Sequence, residues 1–412
     1  MKTIGVYTTF YSFDAAYSLT SVVRDQLQAL VKYKYKTVLF VLPSFKDDKL
    51  VPEGVEIRKV IPQIILEPYK ELRYPDHWKE DVRKVKEMLE KNASDITDMI
   101  CHDIFFIDCY LPYNIALRES NLKCNIYAWT HSAPSFRPQL DNNPHANRFV
   151  LPPRTKLVYL NHYQDNDLAE MYGAWIKDVR IVHNSRDPRM FWDLDPFVNK
   201  LINKYSLLEK DIISVYPLST PRMISGKGLD KAIKLLSKLK ELNYKVCLIA
   251  LNAHANAERD KNQIRQTSIW ASDRGILNTD LIFSSMEDAP TYEAGVSPKI
   301  ISDFFRLSNV FIFPTTSENC SLVLLEAMMA GNLLALNKQV PSLREFAGDN
   351  ALYFDFNYRD DEKENERYYL DLAKILASQF EQQKPLQAKR NLFNNFNFDA
   401  VFKRQIEPLF YE

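Results

Sequence analysis

The chain has 412 residues, 46% apolar and 26% charged, ordinary globular usage that excludes disordered and fibrous classes. Lys+Arg and Asp+Glu are equal at 53 each, and residues 1–200 carry 27 basic against 26 acidic. Neither half therefore has the positive field that dominates binding to nucleic acid or anionic membranes.

At roughly 150 residues per domain, the length implies two or three domains. The first half predicts strands at Thr3–Thr9, Thr37–Leu42, Ile104–Asp108, Asn125–Thr130, Leu157–Leu160 and Val179–His183, with helices such as Leu19–Lys32 and Trp78–Lys91 between them. The second half predicts strands at Ile212–Leu218, Lys245–Leu251, Leu281–Ser284, Asn309–Pro314, Leu333–Leu336 and Ala351–Asp355. Continuous rather than alternating apolar strands imply burial on both faces, hence parallel sheets covered by helices. Two such sets predict an α/β chain of two doubly wound domains; a single eight-stranded barrel is the alternative, and the chain is long for it. The boundary is placed in the Pro-containing stretch Phe191–Glu209, giving domains 1–195 and 196–396 and a helical tail over 397–412.

The five cysteines are scattered and show no zinc spacing, so reduced thiols in a cytoplasmic protein are expected. No long apolar run is present to form a signal peptide or a membrane-spanning helix.

Open parallel sheets bind ligands beyond the carboxyl ends of their strands, and three predicted strand ends carry suitable chemistry. His131 follows Asn125–Thr130; a lone histidine is most often structural, but this position favours a site. Arg222 and Lys227 lie in the loop after Ile212–Leu218, where two fixed cations suit a diphosphate and Gly226 and Gly228 allow close backbone approach. The spacing is not that of an ATPase phosphate loop. Glu318 follows Asn309–Pro314, in a loop whose free backbone N–H groups can face an anion. Glu326 is the one carboxylate in Leu322–Ala330, a stretch apolar enough to predict a helix buried nearly all round, so Glu326 is expected to be buried and to need hydrogen-bond donors.

With these residues placed, the chain resembles the retaining nucleotide-sugar glycosyltransferases of the GT-B fold, the family that includes sucrose synthases and bacterial mannosyl- and glucosyltransferases. The resemblance is strongest over Gly295–Gly331, where the strand, loop and helix with paired glutamates match. Arg222 and Lys227 match the family's diphosphate-binding pair, Val182–Phe191 looks like the segment closing its first domain, and Thr130–Ser132 looks like its strand-end histidine. The chain departs from the family at the loop after the first strand, TFYSFDAAYS, which has no glycine, and at Asn319, Cys320 and Ser321, where the family has small glycines.

The resemblance implies two Rossmann-like domains facing a cleft, the first on the acceptor side and the second binding the donor, with the tail crossing back onto the first. It implies a UDP- or GDP-sugar as donor and a saccharide or glycoconjugate hydroxyl as acceptor. Arg222, Lys227, Glu318 and His131 would be catalytic. Glu326 would hold the ribose, with Gly295, Val296, Asn319, Cys320, Ser321 and Leu322 completing the donor site. It implies front-face displacement with retention, no cofactor and no metal; the triplets Asp165–Asp167 and Asp193–Asp195 are expected to be solvated. The alternatives are transfer to modified bases of phage DNA, to which the Lys32–Lys36 run would lend phosphate contacts, and an epimerase or hydrolase of the same fold.

Overall fold

The computed structural model describes residues 2–64, 77–132, 149–287 and 295–411. The chain forms two units, Met1–Asp187 with Phe396–Glu412, and Pro188–Asn395, so the division falls at Asp187–Pro188.

In the first unit seven strands, β1 (Thr3–Tyr7), β2 (Lys36–Val41), β3 (Val55–Lys59), β4 (Asp98–His102), β5 (Asn125–Trp129), β6 (Thr155–Tyr159) and β7 (Val179–Ile181), form a parallel sheet. Their order is β3-β2-β1-β4-β5-β6-β7. Alternate residues serve two cores. Val38 and Phe40 pack with Met99, Cys101 and the helix Trp78–Asn92, while Leu39 and Val41 pack with Ile100, Trp129 and the helix Ser18–Lys32. Burial on both faces is what made these strands read as continuous apolar runs.

The sequence places one strand wrongly and misses another. The run Ile104–Asp108 is not a strand; β4 is the preceding Asp98–His102. Its polar first residue hides it: Asp98 is buried and accepts hydrogen bonds from Lys2 Nζ (3.1 Å), Tyr127 Oη (3.0 Å) and Asn125 Nδ2 (3.1 Å). Asp103, at φ +54, then ends the strand, and its carbonyl accepts from the amides of Phe106 and Ile107. The unpredicted β3, VEIRK, is only half-buried and carries charges at Glu56, Arg58 and Lys59.

The terminal segment Phe396–Glu412 belongs to the first unit, where Phe398, Val401, Phe402, Leu409 and Phe410 are buried. Tyr33 stacks flat on Phe402 (4.3 Å, 3°), and Lys32 Nζ and Tyr33 Oη both donate to Asp399 (2.6 and 2.7 Å). Lys36 pairs with Asp95 at 3.3 Å. Much of the Lys32–Lys36 run is thus engaged in fold contacts. The glycine-free loop after β1 is pinned by its aromatics: Phe13 packs edge-on against Phe45 (5.3 Å) and Phe10 against Phe13 (6.2 Å).

In the second unit six parallel strands, β8 (Ile212–Ser219), β9 (Val246–Ala253), β10 (Leu281–Phe283), β11 (Val310–Phe313), β12 (Leu333–Asn337) and β13 (Leu352–Phe354), run in the order β10-β9-β8-β11-β12-β13. Both sheets are therefore doubly wound. Strand order reverses between β1 and β4 in one unit and between β8 and β11 in the other, and sheets of this kind bind ligands beyond the carboxyl ends of the strands at that point. All five cysteines are free, and Cys320 is exposed. Among the described residues no helix is long and apolar enough to cross a membrane.

Candidate functional site

The second unit's switch point gathers most of the candidates. The loop after β8 turns tightly: the amides of Gly226 and Lys227 donate to the Arg222 carbonyl (3.1 and 2.9 Å) and that of Gly228 donates to Ile224 (3.1 Å). Buried Tyr216 of β8 holds this loop from beneath by donating to the Lys227 carbonyl. Thr316, after β11, donates its amide to the Gly226 carbonyl at 3.1 Å, so the loops after β8 and β11 are sewn together.

Gly228 makes this junction possible. It sits at φ +65, and a Cβ there would meet the Pro314 carbonyl oxygen at 2.9 Å. Gly275, at φ +77, has nothing within 4 Å of a Cβ. Gly275→Ala pays only the left-handed conformation, about 1–2 kcal/mol, whereas Gly228→Ala must also push β11 away. Gly228→Ala is therefore expected to lower the urea midpoint further than Gly275→Ala. Equal midpoints would mean that the close approach is unimportant.

Lys227 and Glu318 form an ion pair across the junction, with both side chains largely buried, and the ammonium lies 5.7 Å from the centre of the Phe313 ring. Thr315 Oγ1 also reaches Glu318 (3.5 Å), and Ser342 donates to the Glu318 carbonyl (2.6 Å). Arg222 is exposed, and among the described residues its guanidinium has no partner. The turn that carries it is fixed by Thr220, which donates to the Ala253 carbonyl (2.7 Å) and accepts from Asn252 Nδ2 (3.1 Å). Gly295, at φ +123, would place a Cβ 3.0 Å from Ala253, so Gly295 and Val296 adjoin the end of β9 beside that turn.

Beyond Glu318 the backbone is open. Asn319 and Cys320 are exposed, and the amides of Asn319, Cys320, Ser321 and Leu322 donate to no acceptor among the described residues. Ser321 caps the following helix, accepting from the Leu324 amide at 3.3 Å. Free amides and a helix start together favour an anion.

Glu326 is not fully buried, which corrects the sequence reading. The helix Leu322–Met329 turns only Leu324 and Ala327 inward, and Leu322 is 68% and Met329 81% exposed. A helix this short meets the sheet along a single stripe, whatever its composition. Glu326 is half-buried, has no hydrogen-bond or ion-pair partner among the described residues, and is raised above the usual carboxylate range by burial. It still lacks donors.

In the first unit His131 lies at the end of β5, where its amide donates to Asp103 Oδ1 at 2.8 Å. Its Nε2 is 2.9 Å from His102 Nδ1, and His102 Nε2 is 2.9 Å from Gln26 Oε1. With an amide oxygen as the last acceptor, His102 carries its proton on Nε2 and accepts at Nδ1. His131 then donates from Nε2 and keeps a lone pair on Nδ1. The sequence reading missed Gln26, His102 and Asp103. The signal was a His-Asp pair at a strand end, hidden once β4 was misplaced.

Burial pushes His131 down to about 4 and Asp103 up to about 6, and it holds His102 well below its ordinary value. The signs oppose. The histidines bind protons more readily when unfolded, so between about pH 4 and pH 6.5 they make stability rise with pH. Asp103 binds its proton more readily when folded, so its contribution is lost as pH rises from about 3.9 through 6. Asp103→Asn removes the second effect while keeping an oxygen for the His131 amide. Its stability is expected to fall more steeply than that of the unaltered protein as pH drops from about 6.5 to 4. Parallel urea-midpoint profiles would contradict this.

The carboxylate triplets take other places. Asp165 and Asp167 open the helix Asp165–Met171, and Asp195 caps the helix Pro196–Tyr205, accepting from the Phe197 amide at 2.8 Å.

No family model matches the chain, and no curated protein matches it. Among solved structures, a glycosyltransferase from Rickettsia africae ESF-5 is similar at 13% identity over 99% of this chain and 97% of that one (TM-score 0.39). A UDP-forming α,α-trehalose-phosphate synthase from Burkholderia xenovorans, in complex with glucose-6-phosphate, is similar at 15% identity over 100% of both chains (TM-score 0.37). HepE from Anabaena, in complex with UDP, is similar at 13% identity over 100% of both (TM-score 0.35). At this level of likeness the site has to be read from the chain's own residues.

Proposed function

We propose that the chain is a glycosyltransferase that moves a sugar from a nucleoside diphosphate sugar, UDP- or GDP-linked, to an acceptor hydroxyl on a saccharide or glycoconjugate. The supporting observation is the junction at the carboxyl ends of β8 and β11, where an unpaired Arg222, a Lys227–Glu318 pair and the open amides of Asn319–Leu322 converge. Cations and amides suit a diphosphate; the unpartnered carboxylate of Glu326 suits hydroxyls, as does that of Glu318 once Lys227 turns to the diphosphate. Glu326 takes the ribose, and the segments Gly295–Val296 and Asn319–Leu322 complete the donor site.

Arg222 and Lys227 stabilise the negative charge that grows on the departing diphosphate. For Lys227 this requires leaving Glu318, which then turns to a hydroxyl of the transferred sugar. Binding the diphosphate and freeing Glu318 are thus one exchange. His131, neutral above its depressed pKa, offers a hydrogen bond to a hydroxyl rather than a charge. Two cations on the leaving group make a divalent metal unnecessary; in keeping with the resemblance, the acceptor oxygen bonds to the anomeric carbon on the face that the diphosphate leaves, its proton passing to the departing phosphate oxygen, with retention.

EDTA-treated protein is expected to keep transferring sugar, and the anomeric proton of the product to show the donor's configuration by NMR. Activity restored only by Mg²⁺ or Mn²⁺, or an inverted product, would contradict this mechanism.

A further inference from the structure

A separate cavity of about 600 Å³ opens in the second unit between the helices Leu229–Glu241 and Glu258–Ser272, roofed by residues 358–365. None of Arg222, Lys227, Glu318 or Glu326 lines it, but Ile224 does, from inside the Arg222–Lys227 turn. Its volume lies in the range of small-molecule sites.

Its walls mix unused donors and acceptors. Asp230 accepts from the Tyr358 hydroxyl at 2.7 Å through Oδ2, while its buried Oδ1 has no partner. Asn365 is 3% exposed; its Oδ1 accepts from the Arg359 amide (3.3 Å), and its Nδ2 donates to nothing among the described residues. The side-chain amides of Gln263 and Gln266 are likewise unpartnered there. Arg274 lies against Trp270, 4.0 Å from the ring centre, and donates Nη1 to the Trp270 carbonyl (3.1 Å), which fixes the guanidinium and leaves its other N–H groups unused. Tyr358 is 41% exposed, with its hydroxyl tied down by Asp230.

The charges balance. Lys234 is held by Glu366 (2.7 Å) and Glu362 (3.2 Å), and Arg359 stacks on Tyr368 (4.0 Å) near Asp355 (3.7 Å). That leaves Arg274 against Asp230, a poor site for a phosphate or any strongly charged ligand. A fixed aromatic face, an acceptor without a donor, and amides and a guanidinium without acceptors suit a molecule whose groups both donate and accept around an apolar ring face. Sugar hydroxyls do both.

We infer that this cavity binds an uncharged mono- or disaccharide, at a site distinct from the donor site and touching its cationic loop through Ile224. The test uses the full chain with glucose, mannose, galactose, N-acetylglucosamine, maltose and sucrose, each followed by saturation-transfer NMR without any donor. At least one is expected to bind at about 10 mM or below. Tyr358→Ala and Arg274→Met, both on the cavity wall, are each expected to weaken it roughly tenfold or more, the scale for losing one strong polar contact. UDP and GDP binding should be unchanged in these variants, which also reports that they fold. Absence of binding by every sugar overturns the inference. So does binding that neither substitution weakens, that UDP or GDP competes away, or that the corresponding sugar phosphate exceeds.

Discussion

Arg222→Ala is expected to slow sugar transfer by roughly two to three orders of magnitude, the effect of removing one preorganised group that stabilises charge in the transition state. The residue is exposed and unpaired, so its loss leaves no buried partner stranded and the fold should be unaffected. Its turn is held independently by Thr220 on Ala253 (2.7 Å), by Asn252 on Thr220 (3.1 Å) and by the amides of Gly226 and Lys227 on its own carbonyl. The loss should appear in kcat more than in affinity for the bare nucleotide, because charge on the diphosphate grows during bond cleavage. Undiminished turnover by the folded variant would remove Arg222 from the mechanism.

The two glutamates should separate just as clearly. Glu318 is proposed to act on the sugar where charge develops, so Glu318→Gln should slow the chemical step in single-turnover experiments. The structure adds a second consequence. Glu318 holds Lys227 in an ion pair, and glutamine releases that ammonium from a competing anion, so affinity for the bare nucleoside diphosphate should hold or rise. Glu326 is proposed to bind a part of the donor that does not react, so Glu326→Gln should weaken binding while changing the chemical step less. A Glu318→Gln protein that turns over at full rate would show that the pair is only a structural tie.

The doubly wound sheets were legible because buried parallel strands leave short apolar runs between helical stretches, and all six strands of the second unit lie within a residue or two of their predicted positions. What failed did so for physical reasons. β4 opens on Asp98, whose charge is paired with Lys2 and which accepts a hydrogen bond from Tyr127, residues remote in sequence. Glu326 looked buried because composition reports how apolar a helix is and not how much of its surface a sheet can reach. The Lys227–Glu318 pair joins residues 91 apart, and the Gln26–His102–His131 chain joins three elements; neither leaves a local pattern. Arg222, Lys227 and Glu318 could be nominated individually from strand ends. Their convergence on one junction follows from β8 and β11 being neighbours at the switch point.

Calorimetric titration with bare UDP and GDP tests the central claim, that the carboxyl ends of β8 and β11 hold a nucleoside diphosphate, without needing to know the acceptor. At least one of them is expected to bind the unaltered protein, Glu326→Gln to weaken that binding, and Glu318→Gln to leave it intact. Failure of both nucleotides to bind, or loss of affinity in Glu318→Gln with none in Glu326→Gln, would contradict it.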